Sequence, residues 1–322
     1  MHRAPDAASS SSSPVGDLPG SIAARESRLP EFARDFVPRS PAATAIVTAF
    51  TASIERALDA IVVVDRDPVA AVHELRRGVR SARAILRVVE PHLARTNALE
   101  IHASLRTAIH ETGTMRDRDV LPAALALIPA KPGTSEARAE VEAMLLSGRA
   151  SARKHGARAR RLAVLGARLS LVVDRFADLL PENFSREDLI AGLRRLARRA
   201  RRSVRCALQV TDDLAAAHGA RKRVRELAVA LQRLGAGSLR MRRRATKFAR
   251  LSTKIGATLD LELLRSFVRT HSDGLDKDSA ARLLEQLKQN GAQRRPRLLR
   301  RARRWLAAPR WTDAVFDPSK RI

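Results

Sequence analysis

Two stretches of this chain set a histidine ahead of arginines at helical spacing. The first reads Val72-His73-Glu74-Leu75-Arg76-Arg77-Gly78-Val79-Arg80-Ser81-Ala82-Arg83 and continues to Arg87. The second reads Ala217-His218-Gly219-Ala220-Arg221-Lys222-Arg223-Val224-Arg225. A helix advances about 100° per residue, so His73, Arg76, Arg77, Arg80, Arg83 and Arg87 fall within an arc of roughly 120°. Leu75, Val79, Ala82, Leu86 and Val89 fall opposite. His218, Arg221, Lys222 and Arg225 repeat the first four offsets, with Val224, Leu227, Leu231 and Leu234 as their apolar side. Solvated helix faces usually mix signs, and like charges at these spacings repel by a few tenths of a kcal/mol per pair in an isolated helix. A docked polyanion removes that repulsion. Guanidinium forks suit phosphate oxygens, and an imidazole beside them can donate a hydrogen bond and take up charge.

A second element, Gly113-Thr114-Met115-Arg116-Asp117-Arg118-Asp119-Val120, has a weaker counterpart in Gly256-Ala257-Thr258-Leu259-Asp260. Acid pairs can bind metal or move protons. Among so many arginines, Asp117, Asp119 and Asp260 read instead as holders of arginine side chains. Gly113 reads as a point of close helix approach, and Gly256, its counterpart, as structural support. Arg116 joins the anion-binding set. No metal is expected, because His73 and His218 lack a ligand partner at i+3 or i+4, and His110-Glu111 does not extend to a second histidine. No phosphate-cradling glycine loop, dinucleotide fingerprint or nucleophile–base set is present. The expectation is a binding protein without cofactor, not an enzyme.

Composition points the same way. Lys+Arg is 61 against Asp+Glu 34, for a net charge of +27, and Lys supplies only 8 of the 61. Such a surplus opposes compaction unless an anion neutralises it. Aromatic residues are 3% with no Tyr. Proteins hold single-stranded nucleic acid largely by stacking bases on aromatics, so a ligand without bases fits better. The single Cys206 suits a reducing compartment. With no membrane-length apolar run and no secretory pattern at the start, the expected location is cytoplasmic, away from membranes.

The elements that must carry these residues are helices. Residues 1–41, rich in Ser, Ala and Pro, are expected to be disordered. From Ala42 the apolar residues recur at three and four, without strand alternation. The pattern predicts helices over 43–64, 67–90, 97–127, 135–180, 186–214, 216–234, 239–270 and 276–307. His73 and His218 are 145 residues apart, and Gly113 and Gly256 are 143 apart. Features repeated in order at nearly one offset indicate a duplication. The expected fold is all-α, with two pseudo-repeated four-helix bundles over 42–181 and 182–307 flanking a basic central channel, and a tail over 308–322.

His-x-x-Arg-x-x-x-Arg-x-x-Arg, then Gly-x-x-Arg-Asp-x-Asp-Val, then a weaker second round, resembles the CHAD family, the conserved histidine α-helical domain, over about 42–307. The family's further base ten residues after the second histidine is here Ala228. The resemblance implies a two-lobed helical fold with a basic central channel, inorganic polyphosphate as ligand, and residence on polyphosphate granules. It implies a binding domain alone, since the chain lacks the Glu-x-Glu-x-Lys element of the triphosphate-tunnel enzymes to which many relatives are fused. Arg198, Arg202 and Arg205 are candidates to extend the channel. The arginines over 294–304 read as an outer patch for nucleic acid. The rival readings are a non-specific nucleic-acid binder and an accessory to a phosphate-metabolising enzyme. Because the stripes lie in different halves, a ligand is expected to need length to span both.

Overall fold

In a computed structural model the chain is described over residues 39–307, apart from 65, 152–154, 211 and 236–237. The side chains of 68, 114–119, 148–151 and 155–160 also lie outside the description, as do the expected N-terminal segment and C-terminal tail. Among the described residues there are ten α-helices and no strand. They are α1 (Pro41–Val62), α2 (Pro68–Val89), α3 (Arg95–Glu111), α4 (Gly113–Ala126), α5 (Ser135–Ser151), α6 (His155–Leu179), α7 (Arg186–Gln209), α8 (Leu214–Leu234), α9 (Leu239–Thr270) and α10 (Lys277–Ala307).

Helix starts follow local chemistry. Ser40, Asp67, Asp213 and Ser238 each cap a helix by accepting from backbone N–H groups of its first turn, and Ser185 forms a reciprocal capping box with Asp188. Pro41 and Pro68 occupy first-turn positions, where a missing N–H costs nothing.

One predicted helix is divided. The span 97–127 breaks at Thr112, whose hydroxyl bonds back to the Ala108 carbonyl at 2.8 Å while α4 starts afresh at Gly113. The span 135–180 is described as α5 and α6, on either side of residues 152–154. The 3.6-residue period continues across Thr112, so pattern alone reads through it.

Contacts between helices close two rings. α1, α2, α3 and α6 form one bundle, with Phe50 stacked on Phe176 at 3.8 Å between ring centroids. α7, α8, α9 and α10 form the other, with Phe248 edge-on to Trp305. α4 and α5 leave the first ring and pack on α9 and α10, burying Leu121, Leu125 and Val141 against Leu264 and Leu283. The Ala137 N–H donates to Ser279 Oγ at 3.1 Å, and Gln286 Nε2 donates to the Pro129 carbonyl at 2.8 Å. Helices of the first sequence half thereby complete the packing of the second.

The stripe helices lie at the centre. α2 packs against α1, α3, α4, α7 and α8, and α8 packs against α1, α2, α7 and α9. One core runs through both rings, from Ala43 to Leu306. The apolar sides expected for the stripes are in it, with Leu75, Val79, Ala82, Leu86, Val89, Val224, Leu227 and Leu231 buried. α1 approaches α2 at Gly78, where an added Cβ would lie 2.9 Å from the Ala57 Cβ. Only glycine permits that spacing.

Candidate anion-binding site

Where α8 crosses α2, both stripes turn toward each other. A cavity of about 220 Å³ is lined by Arg76, Arg80 and Arg83 from α2, Ile109 from α3, and His218, Arg221, Lys222, Arg225, Glu226 and Val229 from α8. Most of the expected anion-binding side chains therefore share one cavity. The expectation that a ligand needs length to reach both stripes is corrected: the halves are far apart in sequence, but their stripes are face to face.

Three of the arginines are held from behind. Arg76 is buried at 7% exposure, and its Nη1 donates to the Ile109 carbonyl at 2.7 Å and to Thr112 Oγ1 at 2.8 Å. The helix break at Thr112 thus supplies the acceptors that fix Arg76. Arg225 Nε donates to the buried Ser252 hydroxyl at 3.3 Å. Arg221 lies flat on Gly256, with Asp260 at 4.0 Å. A Cβ on Gly256 would fall 2.5 Å from the Arg221 guanidinium carbon. Glycine there makes room for an arginine, not for a helix. Gly113 differs, since an added Cβ there would meet no described atom within 4 Å. Close helix approach is therefore not what its glycine provides. The side chains of Arg116, Asp117 and Asp119 lie outside the described residues.

Arg83 is a partly buried cation of the cavity. Its guanidinium pKa is lowered first by burial, which Glu226 opposes, and further by Arg87, Arg223 and Arg106. Its Nε is buried without a hydrogen-bond partner among the described residues. Lys222 is lowered chiefly by partial burial and by Arg83, against Glu226. Two cations pressed toward losing charge describe a site that an anion would stabilise.

Other expected residues lie elsewhere. His73 is exposed, one turn before the α2 segment that lines the cavity, while His218 stands at the exposed rim. Arg77 is exposed and paired with Glu74 at 3.3 Å. Arg87 is paired with Glu90 at 2.8 Å, and His102 Nε2 approaches the same carboxylate at 3.4 Å. The stripe is thus not acid-free at its ends, because Glu74 and Glu90 each sit within three residues of an arginine. Arg198, Arg202 and Arg205 are exposed on α7 and do not line the cavity. Ala228 is buried. In the 294–304 run, Arg295 is no surface residue: it is 4% exposed and donates to Glu262 at 2.8 Å.

Sequence reasoning missed Glu226. It is 8% exposed, accepts from Arg223 Nη1 at 2.7 Å and faces the cations of the cavity. Its position directly after Arg225, three after Arg223, was the available signal. Thr112 and Ser252, which hold arginines, carry no signal in the sequence, because their contacts are tertiary. A larger cavity of about 420 Å³ between α3 and α6 is lined by both acids and arginines, including Glu100, Asp178, Arg168 and Arg175, and shares no residue with the cationic one. Among the described residues no cluster of His, Cys, Asp or Glu could hold a metal ion, and no helix is long and apolar enough to cross a membrane.

An all-α protein of two linked helical bundles with a cationic cavity between its central helices is the class these observations define. The CHAD domain profile matches residues 45–236, more than half of the chain, and the protein belongs to the CHAD domain family. The match takes in both histidine stripes and stops before α9, so Gly256 and Asp260 lie beyond it. The crystal structure of the CHAD domain from the plant Ricinus communis is similar in fold, with a TM-score of 0.57 at 20% identity, covering 84% of this chain and 93% of that one. Comparison with curated protein sequences gives no match.

Proposed function

We propose that this protein binds inorganic polyphosphate through the cationic cavity between α2 and α8 and acts by binding, not by catalysis. One observation carries the reading: two stripes 145 residues apart in sequence turn into one cavity, where Arg83 keeps a buried Nε without a hydrogen-bond partner among the described residues. Phosphate oxygens supply what Arg83 lacks, and charge-assisted bonds are about twice as strong as neutral ones. With few aromatics to stack bases, a base-free phosphate chain is the favoured polyanion. In this reading the cavity is part of a basic channel, and cytoplasmic polyphosphate granules are the destination.

Calorimetry with polyphosphate at several salt concentrations tests it. Arg80→Glu or Arg225→Glu is expected to weaken binding far more than Arg303→Glu, which alters an exposed residue of α10. With about seven contacts, and single-stranded nucleic acid as the guide, the log–log salt slope is expected near 5. Equal losses at all three positions would mean that bulk charge alone binds the ligand. A fluorescent fusion that fails to follow granules in cells would remove the targeting role.

A further inference from the structure

Outside the cavity, a large unbalanced charge lies on the outer wall of the second bundle. In the ring of α7, α8, α9 and α10, α8 also packs on α2, so α10, diagonal to it, faces away from the first bundle. α4 and α5 cover the segments of α9 and α10 around Leu264 and Leu283. The remaining segments, α9 over 239–254 and α10 over 291–307, run beside each other, joined by Phe248 and Trp305. Neither segment contains an acid. Arg243, Lys247 and Arg250 on α9, and Arg297, Arg301 and Arg304 on α10, are exposed. None of these six makes an ion pair among the described residues. Some surface arginines elsewhere do have acids, as in Arg77–Glu74 and Arg175–Glu100, while the exposed Arg198, Arg202 and Arg205 of neighbouring α7 share the wall's lack of ion pairs among the described residues.

We propose that this α9–α10 wall is a second, independent docking surface, and that its occupant is the phosphate backbone of duplex nucleic acid. The proposal goes beyond polyphosphate binding and rests on different residues. Two neighbouring helices with axes about 8–10 Å apart each present a row of cations, and from Arg294 to Arg304 the α10 row runs about 15 Å. That is an extended, rigid surface, not a pocket for a compact anion. A membrane is disfavoured because the wall offers almost no apolar anchor: Leu239, at its edge, is the one large exposed hydrophobic residue on these segments. A single strand is disfavoured because the sole aromatic side chain near the surface among the described residues, Trp305, is occupied by Phe248 and by Arg301, 5.3 Å from its ring centroid. Phosphate contacts without base contacts give affinity without sequence preference.

The test uses the full chain and a fluorescent duplex of random sequence, with polyphosphate binding measured in parallel. The variant Arg297→Glu/Arg301→Glu/Arg304→Glu is expected to lose duplex affinity at least tenfold and to keep polyphosphate affinity within about twofold. Arg80→Glu/Arg225→Glu is expected to do the reverse, so failure of one site is distinguishable from failure of the other. A charge-matched control, Arg161→Glu/Arg168→Glu/Arg175→Glu on α6, is expected to change duplex binding far less than the wall variant. Far-ultraviolet circular dichroism checks that each variant is folded. Duplex affinity unchanged in the wall variant, or lost equally in the α6 control, overturns the proposal. So does tighter binding to a single strand of the same length, or wall-dependent binding to phosphatidylserine vesicles without duplex binding.

Discussion

The guanidinium of Arg221 shows how much of this site depends on what lies behind each cation. It rests on Gly256 with Asp260 near its edge, so its position depends on a missing side chain. Gly256→Ala is expected to displace it and weaken polyphosphate binding several-fold in calorimetry. The melting temperature should change little, because the clashing group is the end of a flexible side chain. His102 gives a second prediction. Burial, then Arg87, pushes its pKa from 6.5 down to about 4, against the pull of Glu90. Between those values the unfolded chain takes up a proton that the folded one refuses, so stability is full above pH 6.5 and declines toward pH 4. The urea midpoint is expected to fall over that range, and less steeply in His102→Gln. Parallel pH profiles for the two proteins would show that His102 is not the source.

At the level of elements, α2 is the member that others are built around. Its apolar side is sealed by α1, and the seal depends on Gly78 facing Ala57. Overpacking a tight core costs about 1–3 kcal/mol. Gly78→Val is expected to lower the unfolding free energy by an amount in that range, read from denaturant titration, with part of the anion affinity lost because Arg76 and Arg80 ride on the same helix. A variant as stable as the parent would show that α1 and α2 can separate without cost. The α4–α5 excursion has a different role. It begins at the Thr112 break that fixes Arg76, and it ends packed on α9 and α10. The cavity and the packing of the second bundle are therefore linked through one chain segment.

For the whole molecule, the convergence of the stripes changes what ligand length should do. The α2 residues that line the cavity, 76 to 83, span only about 10 Å along the axis. A short oligophosphate can touch both helices at once. Affinity per molecule is expected to rise over the shortest chains and then level off, as measured by calorimetry with length-fractionated polyphosphate. A rise that continues through chains of many tens of units would mean that the ligand runs well beyond this cavity.

The sequence by itself determined the helical fold, the positions of both stripes, and their apolar sides, because each is a matter of residue spacing along one helix. It also singled out Gly256 and Asp260 as structural supports, without showing that the glycine is where Arg221 rests. It did not determine the division at Thr112, because the helical period runs through it. Only the tertiary structure decided which stripe residues share a cavity. Arg76, Arg80 and Arg83 meet Arg221, Lys222 and Arg225, while His73 and Arg77 stay outside and Arg87 is taken by Glu90. That sorting follows from where α8 crosses α2. A crossing is fixed by packing between residues some 145 positions apart, and no local pattern records it.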